Sequence, residues 1–270
     1  MRNAMIVLAG ACVLLGMASL ARADNSTCAN ANLLVPDGGA QTGDIPAAPA
    51  SGLRYFRFVA KANRSYAVML ENLSSPDQQA EIAVMAVTDG CGGAPLPINQ
   101  AADFFEPVGY DFVAGVGAAR VALKSPGDST LFFAVDGHIN AFGASTFRVR
   151  VVETTLFNPL WSTAGGFDTV FRIYNTSGNG GGCSVTLDLR RDNNTPASGG
   201  ASTVTFTLGS NRSVTRTTAA SDLALAAGQT GHATLTHDCP PGAIQVDAYM
   251  TAASASRLLP VGFAPARQQR

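Results

Sequence analysis

The chain has 270 residues, 46% hydrophobic and 14% charged, with 28 Gly, 14 Pro and 5 Cys, and a formal net charge of −1. An apolar share this large excludes an intrinsically disordered chain. Near-neutrality, with lysine only at Lys61 and Lys124, excludes the basic footprint of a nucleic-acid binder.

Residues 1–23 read as a signal peptide. Arg2 gives a positive start, Ala4 to Leu20 an apolar run, and Ala21-Arg22-Ala23 a small-x-small cleavage site, so the mature chain is expected to begin at Asp24. Loss of Arg2 and Arg22, with no acid removed, takes the net charge from −1 to −3. The apolar run falls short of the ~20 residues of a spanning helix, and no later segment reaches that length. The mature chain is therefore expected to lack a transmembrane segment and to be secreted or periplasmic. Cys12 follows Ala9-Gly10-Ala11 within the apolar run, without the upstream leucine of a lipoprotein site, so lipidation is not expected.

Removing Cys12 with the leader leaves Cys28, Cys91, Cys183 and Cys239, an even set in an oxidising compartment. Three pairings exist. A break at residues 153–165 leaves two cysteines on each side and favours Cys28–Cys91 with Cys183–Cys239. Each bridge would close a loop of roughly sixty residues and stabilise by about 4 kcal/mol on the chain-entropy account. A zinc site is disfavoured, because close C-x-x-C pairs are missing.

Beyond the leader, short alternating runs bounded by Gly, Pro, Asn and Asp predict an all-β chain. Strands are expected at 53–60, 64–71, 80–88, 118–124, 129–136 and 145–153. A second series is expected at 168–175, 183–191, 202–209, 212–217, 231–239, 243–251 and 257–264. Phe147, Val149 and Val151 share one face, and Arg148 and Arg150 the other. Cys183, Val185, Leu187 and Leu189 likewise point inward, as do Ala233, Leu235, His237 and Cys239. Thr154 to Gly166, with Pro159 and the only tryptophan, Trp161, reads as a junction in which Trp161 packs. The expected division is residues 24–153 and 154–270, two consecutive β-sandwich domains.

Tyr55-Phe56-Arg57-Phe58, the turn Asn63-Arg64-Ser65-Tyr66, the strand to Leu70, and the runs Leu131 to Val135 and Phe147 to Val151 resemble the bacterial pre-peptidase C-terminal (PPC) domain. That resemblance spans about residues 30–153 and implies a jelly-roll-like sandwich of the kind attached to exported proteases and other enzymes. The chain departs from it in the Cys28/Cys91 pair and in an aromatic-acidic segment from Asp103 to Phe112, and no protease domain is present. The second half is similar to a module of uncharacterised exported bacterial proteins. The matching strings are Thr154-Thr155-Leu156-Phe157 with Pro159 and Trp161, Gly166-Phe167-Asp168-Thr169, Gly231-His232, and Pro240-Pro241-Gly242-Ala243-Ile244-Gln245. This similarity implies an immunoglobulin-like sandwich and transfers no active site.

Catalytic constellations are sparse. The chain has no G-x-S-x-G elbow and no H-E-x-x-H string. Only His138, His232 and His237 could act as histidine bases, and the last two fall on opposite faces of one strand, His237 inward and His232 to solvent. Paired carboxylates for glycoside hydrolysis would have to come from Glu71, Glu81, Asp103, Glu106, Asp111 and Glu153. The ligand-site candidates are Asp103, Phe104, Glu106, Tyr110 and Asp111, whose rings could stack on sugars and whose carboxylates could hold hydroxyls or calcium. The competing and preferred reading makes the phenylalanines a plug in the sandwich end. Asp192-Asn193-Asn194 is a weaker calcium candidate, since these residues also favour hairpin turns. Six Asn-x-Ser/Thr triplets, at Asn25, Asn63, Asn72, Asn175, Asn193 and Asn211, read as polar turns rather than glycan acceptors. Leu259-Pro260-Val261-Gly262 lacks the Thr and the tail of a sortase signal.

These readings converge on a secreted, non-catalytic binding, adhesion or structural protein. No cofactor is expected, with calcium the single candidate, and the expected partner is an extracellular glycan or protein. The alternative is an exported hydrolase, or an accessory subunit of an exported protease or glycosidase, with a calcium or carbohydrate site in the first domain.

Overall fold

A computed structural model describes residues 25–46, 52–73, 81–84, 87–94, 96, 118–139, 145–178, 182–219, 222–252 and 255–265. Among the described residues there is no α-helix, and none that is long and apolar enough to cross a membrane. Eighteen strands among the described residues form four sheets, which stack as two consecutive β-sandwiches.

In the first sandwich, one sheet holds β1 (Asn32–Leu33), β3 (Arg54–Ala60), β8 (Ser129–Ile139) and β5 (Glu81–Val84) in that order, with β6 (Thr88–Asp89) also on β8. Facing it is the sheet β2 (Gln41–Ile45), β9 (Ser145–Glu153), β4 (Ser65–Asn72) and β7 (Ala118–Lys124). Strand alternation builds the core. Phe56, Phe58, Leu131 and Phe133 meet Tyr66, Val68, Leu123, Phe147 and Val151, all essentially buried. Phe56 stacks on Phe133 with ring centres 5.6 Å apart and meets Phe147 edge-on at 6.0 Å, the offset geometries that aromatic quadrupoles favour. Each such side chain contributes roughly 1.5–3 kcal/mol by leaving water.

The second sandwich pairs β13 (Thr203–Leu208), β12 (Cys183–Arg191), β15 (Thr230–His237), β10 (Leu156–Ser162) and β18 (Ala264–Pro265) in one sheet. The other holds β14 (Arg212–Thr217), β11 (Phe167–Asn175), β16 (Ile244–Ala252) and β17 (Ala255–Pro260). Val185, Leu187, Leu189, Ala233 and Leu235 face Phe171, Ile173, Ala248 and Met250 across the core. The structure pairs Cys28 with Cys91, and Cys183 with Cys239.

Within Thr154 to Gly166, Leu156–Ser162 forms a strand, β10, that the sequence pattern did not predict, and Trp161 packs as expected, fully buried in the second core. The Trp161 indole N–H donates to the carbonyls of Arg190 (3.1 Å) and His232 (2.9 Å). The single strand expected at 80–88 is split into β5 and β6. Of the six Asn-x-Ser/Thr asparagines, Asn25, Asn72 and Asn175 are buried rather than in exposed turns. Asn175 donates its amide to the Leu208 carbonyl (3.0 Å) and accepts from the Ser177 backbone N–H (3.0 Å). Asn63 and Asn211 do sit in turns, with φ of 56° and 54°, the left-handed region that asparagine tolerates.

The two sandwiches meet along β7. Ala67 and Ala122, paired across β4 and β7, are buried on the face opposite the first core. Lys124 shares that face. Its ammonium donates to Ser184 Oγ (2.7 Å) and Thr186 Oγ1 (3.1 Å) on β12, and β7 also lies against β15. The Lys124 end of β7 thus lies against β12 at Ser184 and Thr186 and against β15.

Candidate functional site

Groups able to do acid–base or nucleophilic chemistry are placed first by strand phase. His237 is inward on β15 and 2% exposed, and its Nδ1 accepts from the Cys239 backbone N–H (3.2 Å). Burial, reinforced by the Lys124 charge, pushes its pKa down to about 4, against hydrogen bonds to the Cys239 and Thr154 backbone. His232 lies on the opposite face, its ring 5.6 Å from that of Phe157. The side chain of His138, on β8, lies outside the described residues.

Around His237 the inter-sandwich contact is polar. The Thr154 backbone N–H donates to the Ser65 carbonyl (2.8 Å), and Ser65 N–H donates to Thr155 Oγ1 (2.9 Å). Glu153 pairs with Arg64 at 2.9 Å. Burial raises the Glu153 pKa while Arg64 opposes the shift. Asp238 accepts from the Ser184 N–H (2.6 Å). Burial raises its pKa, opposed by the Ser184 bond and Lys124, whereas burial lowers that of Lys124 against the pull of Asp238. Cys183, Asp238 and Cys239 have metal-ligand spacing, but the two sulfurs are bonded to each other. The chemistry available here is cohesion between sheets.

The candidate carboxylates do not converge where they are described. Glu71 forms an ion pair with Arg148 opposite it on β9, whereas Glu153 lies opposite Tyr66. Five residues of strand separate those positions, roughly 17 Å. Asp103, Phe104, Glu106, Tyr110 and Asp111, and the side chain of Glu81, lie outside the described residues. In the 192–194 turn, Asp192 accepts from the Thr230 hydroxyl (2.6 Å) and Asn193 from the Thr195 hydroxyl (2.7 Å).

Among the described residues, two open clefts stand out. The first, of about 350 Å³, lies on the outer face of β3 and β8 beside the Cys28–Cys91 bridge, lined by Leu53, Tyr55, Thr88, Phe132 and Ala134 among others. Alternation explains it: Phe56 and Phe133 turn into the core, so Tyr55 and Phe132 turn outward. Tyr55 is held by backbone and amide bonds to Asn25 (2.8 and 3.0 Å). The second, of about 500 Å³, lies at the end of the second sandwich and includes Thr163, Phe167, Asp168, Leu225 and Thr251. In the sequence, Phe167 and Asp168 stand only within a similarity string, and neither Tyr55 nor Phe132 carries a site signal of its own. Outward aromatics at alternate strand positions were the available signal. No known protein family matches the chain, and no curated protein matches it in sequence.

Proposed function

We propose that the chain is an exported binding protein without a catalytic centre, and that its ligand contacts the aromatic cleft of the first sandwich. The observation supporting this is how the described reactive side chains are used. His237 is packed into the frame, the four described cysteines are bridged, and Glu71 and Glu153 are tied to arginines. By contrast, Tyr55 and Phe132 line an open groove that a disulfide and a β-sheet hold in place. Ring faces so presented suit a sugar ring or an apolar segment of an extracellular protein. The leader, the disulfides and the resemblance to PPC-like and immunoglobulin-like modules support export and a bacterial source.

The test is a glycan and extracellular-protein array probed with mature protein and with Tyr55→Ala. Binding that falls at least tenfold in the variant, at unchanged melting temperature, is expected. Binding unaffected by Tyr55→Ala would remove the first cleft from the account.

A further inference from the structure

The cleft at the end of the second sandwich has a chemistry of its own. β10 starts beside the inter-sandwich contact at Thr154 and Thr155 and ends at Ser162, which places this cleft roughly 20 Å from that contact. The chain then turns from one sheet to the other through Gly165 and Gly166, at φ of 63° and 76°, a left-handed pair that glycine adopts without strain. This turn delivers Phe167 and Asp168 to the cleft wall.

Hydrogen bonds beneath the wall fix it. Thr163 Oγ1 donates to the Ala226 carbonyl (2.8 Å) and accepts from Gln229 N–H (3.1 Å), so this hydroxyl is spent. Asp168 Oδ1 accepts from the Thr218 hydroxyl and from Ala219 N–H (3.0 Å), while Thr169 N–H donates to Thr218 Oγ1 (2.9 Å). Among the described residues both donors to the carboxylate converge on Oδ1, and Asp168 lines the cleft. The Thr251 hydroxyl donates to the Asp168 carbonyl (3.3 Å), so it too faces a ligand as an acceptor.

The side-chain polar groups left to a ligand are therefore acceptors, set among Phe167, Leu225, Ala219 and Ala227. No Lys, Arg or His among the described residues lines the cleft. Among the described residues no ion pair involves Asp168. A ligand anion would meet a carboxylate with no cationic side chain beside it among the described residues. A cation that donates hydrogen bonds and carries an apolar stem satisfies both the charge and the walls.

We propose that this cleft binds an alkylammonium group, with its nitrogen on the Asp168 carboxylate and its carbon chain along Phe167 and Leu225. Such a group occurs on lysine side chains and on polyamines. The site is separate from the aromatic cleft of the first sandwich, and the two proposals fail independently.

The test is an NMR titration of the mature protein with n-pentylamine at neutral pH, with 1-pentanol as the uncharged control. Shifts centred on Phe167, Asp168 and Thr251, with a dissociation constant on the order of millimolar for so small a probe, are expected for the amine and not for the alcohol. Asp168→Asn keeps an oxygen for Thr218 and Ala219, so its melting temperature should hold while amine affinity falls at least tenfold. Parallel titrations with spermidine and with Nα-acetyl-lysine methylamide distinguish a polyamine from a protein lysine as the source. Equal binding of pentanol, amine binding retained by Asp168→Asn, or amine shifts located elsewhere would each overturn the proposal. If all amines fail while the array yields a Tyr55-dependent ligand, only this second site is lost.

Discussion

His237 gives the sharpest thermodynamic prediction, because burial sets its charge state. In an unfolded chain histidine titrates near 6.5, whereas in the folded protein burial first, then Lys124, holds it down to about 4. Above pH 6.5 the ring is neutral in both states, and its contribution to stability is complete. As pH falls below 6.5 the unfolded chain takes up a proton that the folded one refuses, and stability drops at about 1.4 kcal/mol per pH unit. The loss ends near pH 4, where the folded ring also protonates, and totals about 3 kcal/mol. His237→Gln removes this titration while leaving a polar group near the Cys239 N–H. Urea denaturation of both proteins at pH 7, 5.5 and 4, read by the fluorescence of Trp161, isolates the effect because other groups titrate in both. The stability advantage of the wild type should shrink by about 3 kcal/mol from pH 7 to pH 4. A gap that stays constant over that range would mean that His237 takes up protons equally in the folded and unfolded states. It would then be accessible, and its assignment to the frame would be wrong.

Two further perturbations probe the frame. Lys124→Met removes the bonds to Ser184 and Thr186 and should cost about 1–3 kcal/mol. It should also separate the midpoint seen by Trp161 fluorescence, which reports the second sandwich, from that seen by far-UV circular dichroism, and coincident midpoints at wild-type stability would show that the lysine joins nothing. Replacing Cys183 and Cys239 together with Ala opens a 56-residue loop and should cost about 2–5 kcal/mol. Non-reducing peptide mapping is expected to find Cys28 with Cys91, and Cys28 joined to Cys183 or Cys239 would contradict both the pairing and the fold.

Much of the strand frame was legible because alternation survives wherever one sheet face is buried. Cys183, Val185, Leu187 and Leu189 are buried as their phase required, with Ser184, Thr186 and Asp188 less so. Phe147, Val149 and Val151 are buried between exposed Arg148 and Arg150. β10 was missed because Pro159 and a register shift between Asn158 and Trp161 break its alternation, a bulge being where a strand tolerates proline. β2 was missed because Gln41-Thr42-Gly43-Asp44-Ile45 carries few strand formers. Its identity depends on a distant partner, since Gly43 lies so close to the Phe147 ring that a Cβ would overlap it. The second cleft was not legible for a related reason. Its residues come from 163–168, from Ala219, Leu225 and Ala227, and from 251–252, and only the folded sheets bring them together.

The central claim, binding without turnover, is tested most directly by incubating purified mature protein with a panel of peptide, ester and glycoside substrates and following product over hours. The account predicts rates equal to the protein-free blank for every substrate. Turnover that disappears on a single substitution at His232, Glu71 or Glu153 would contradict it, because those side chains would then be reacting groups.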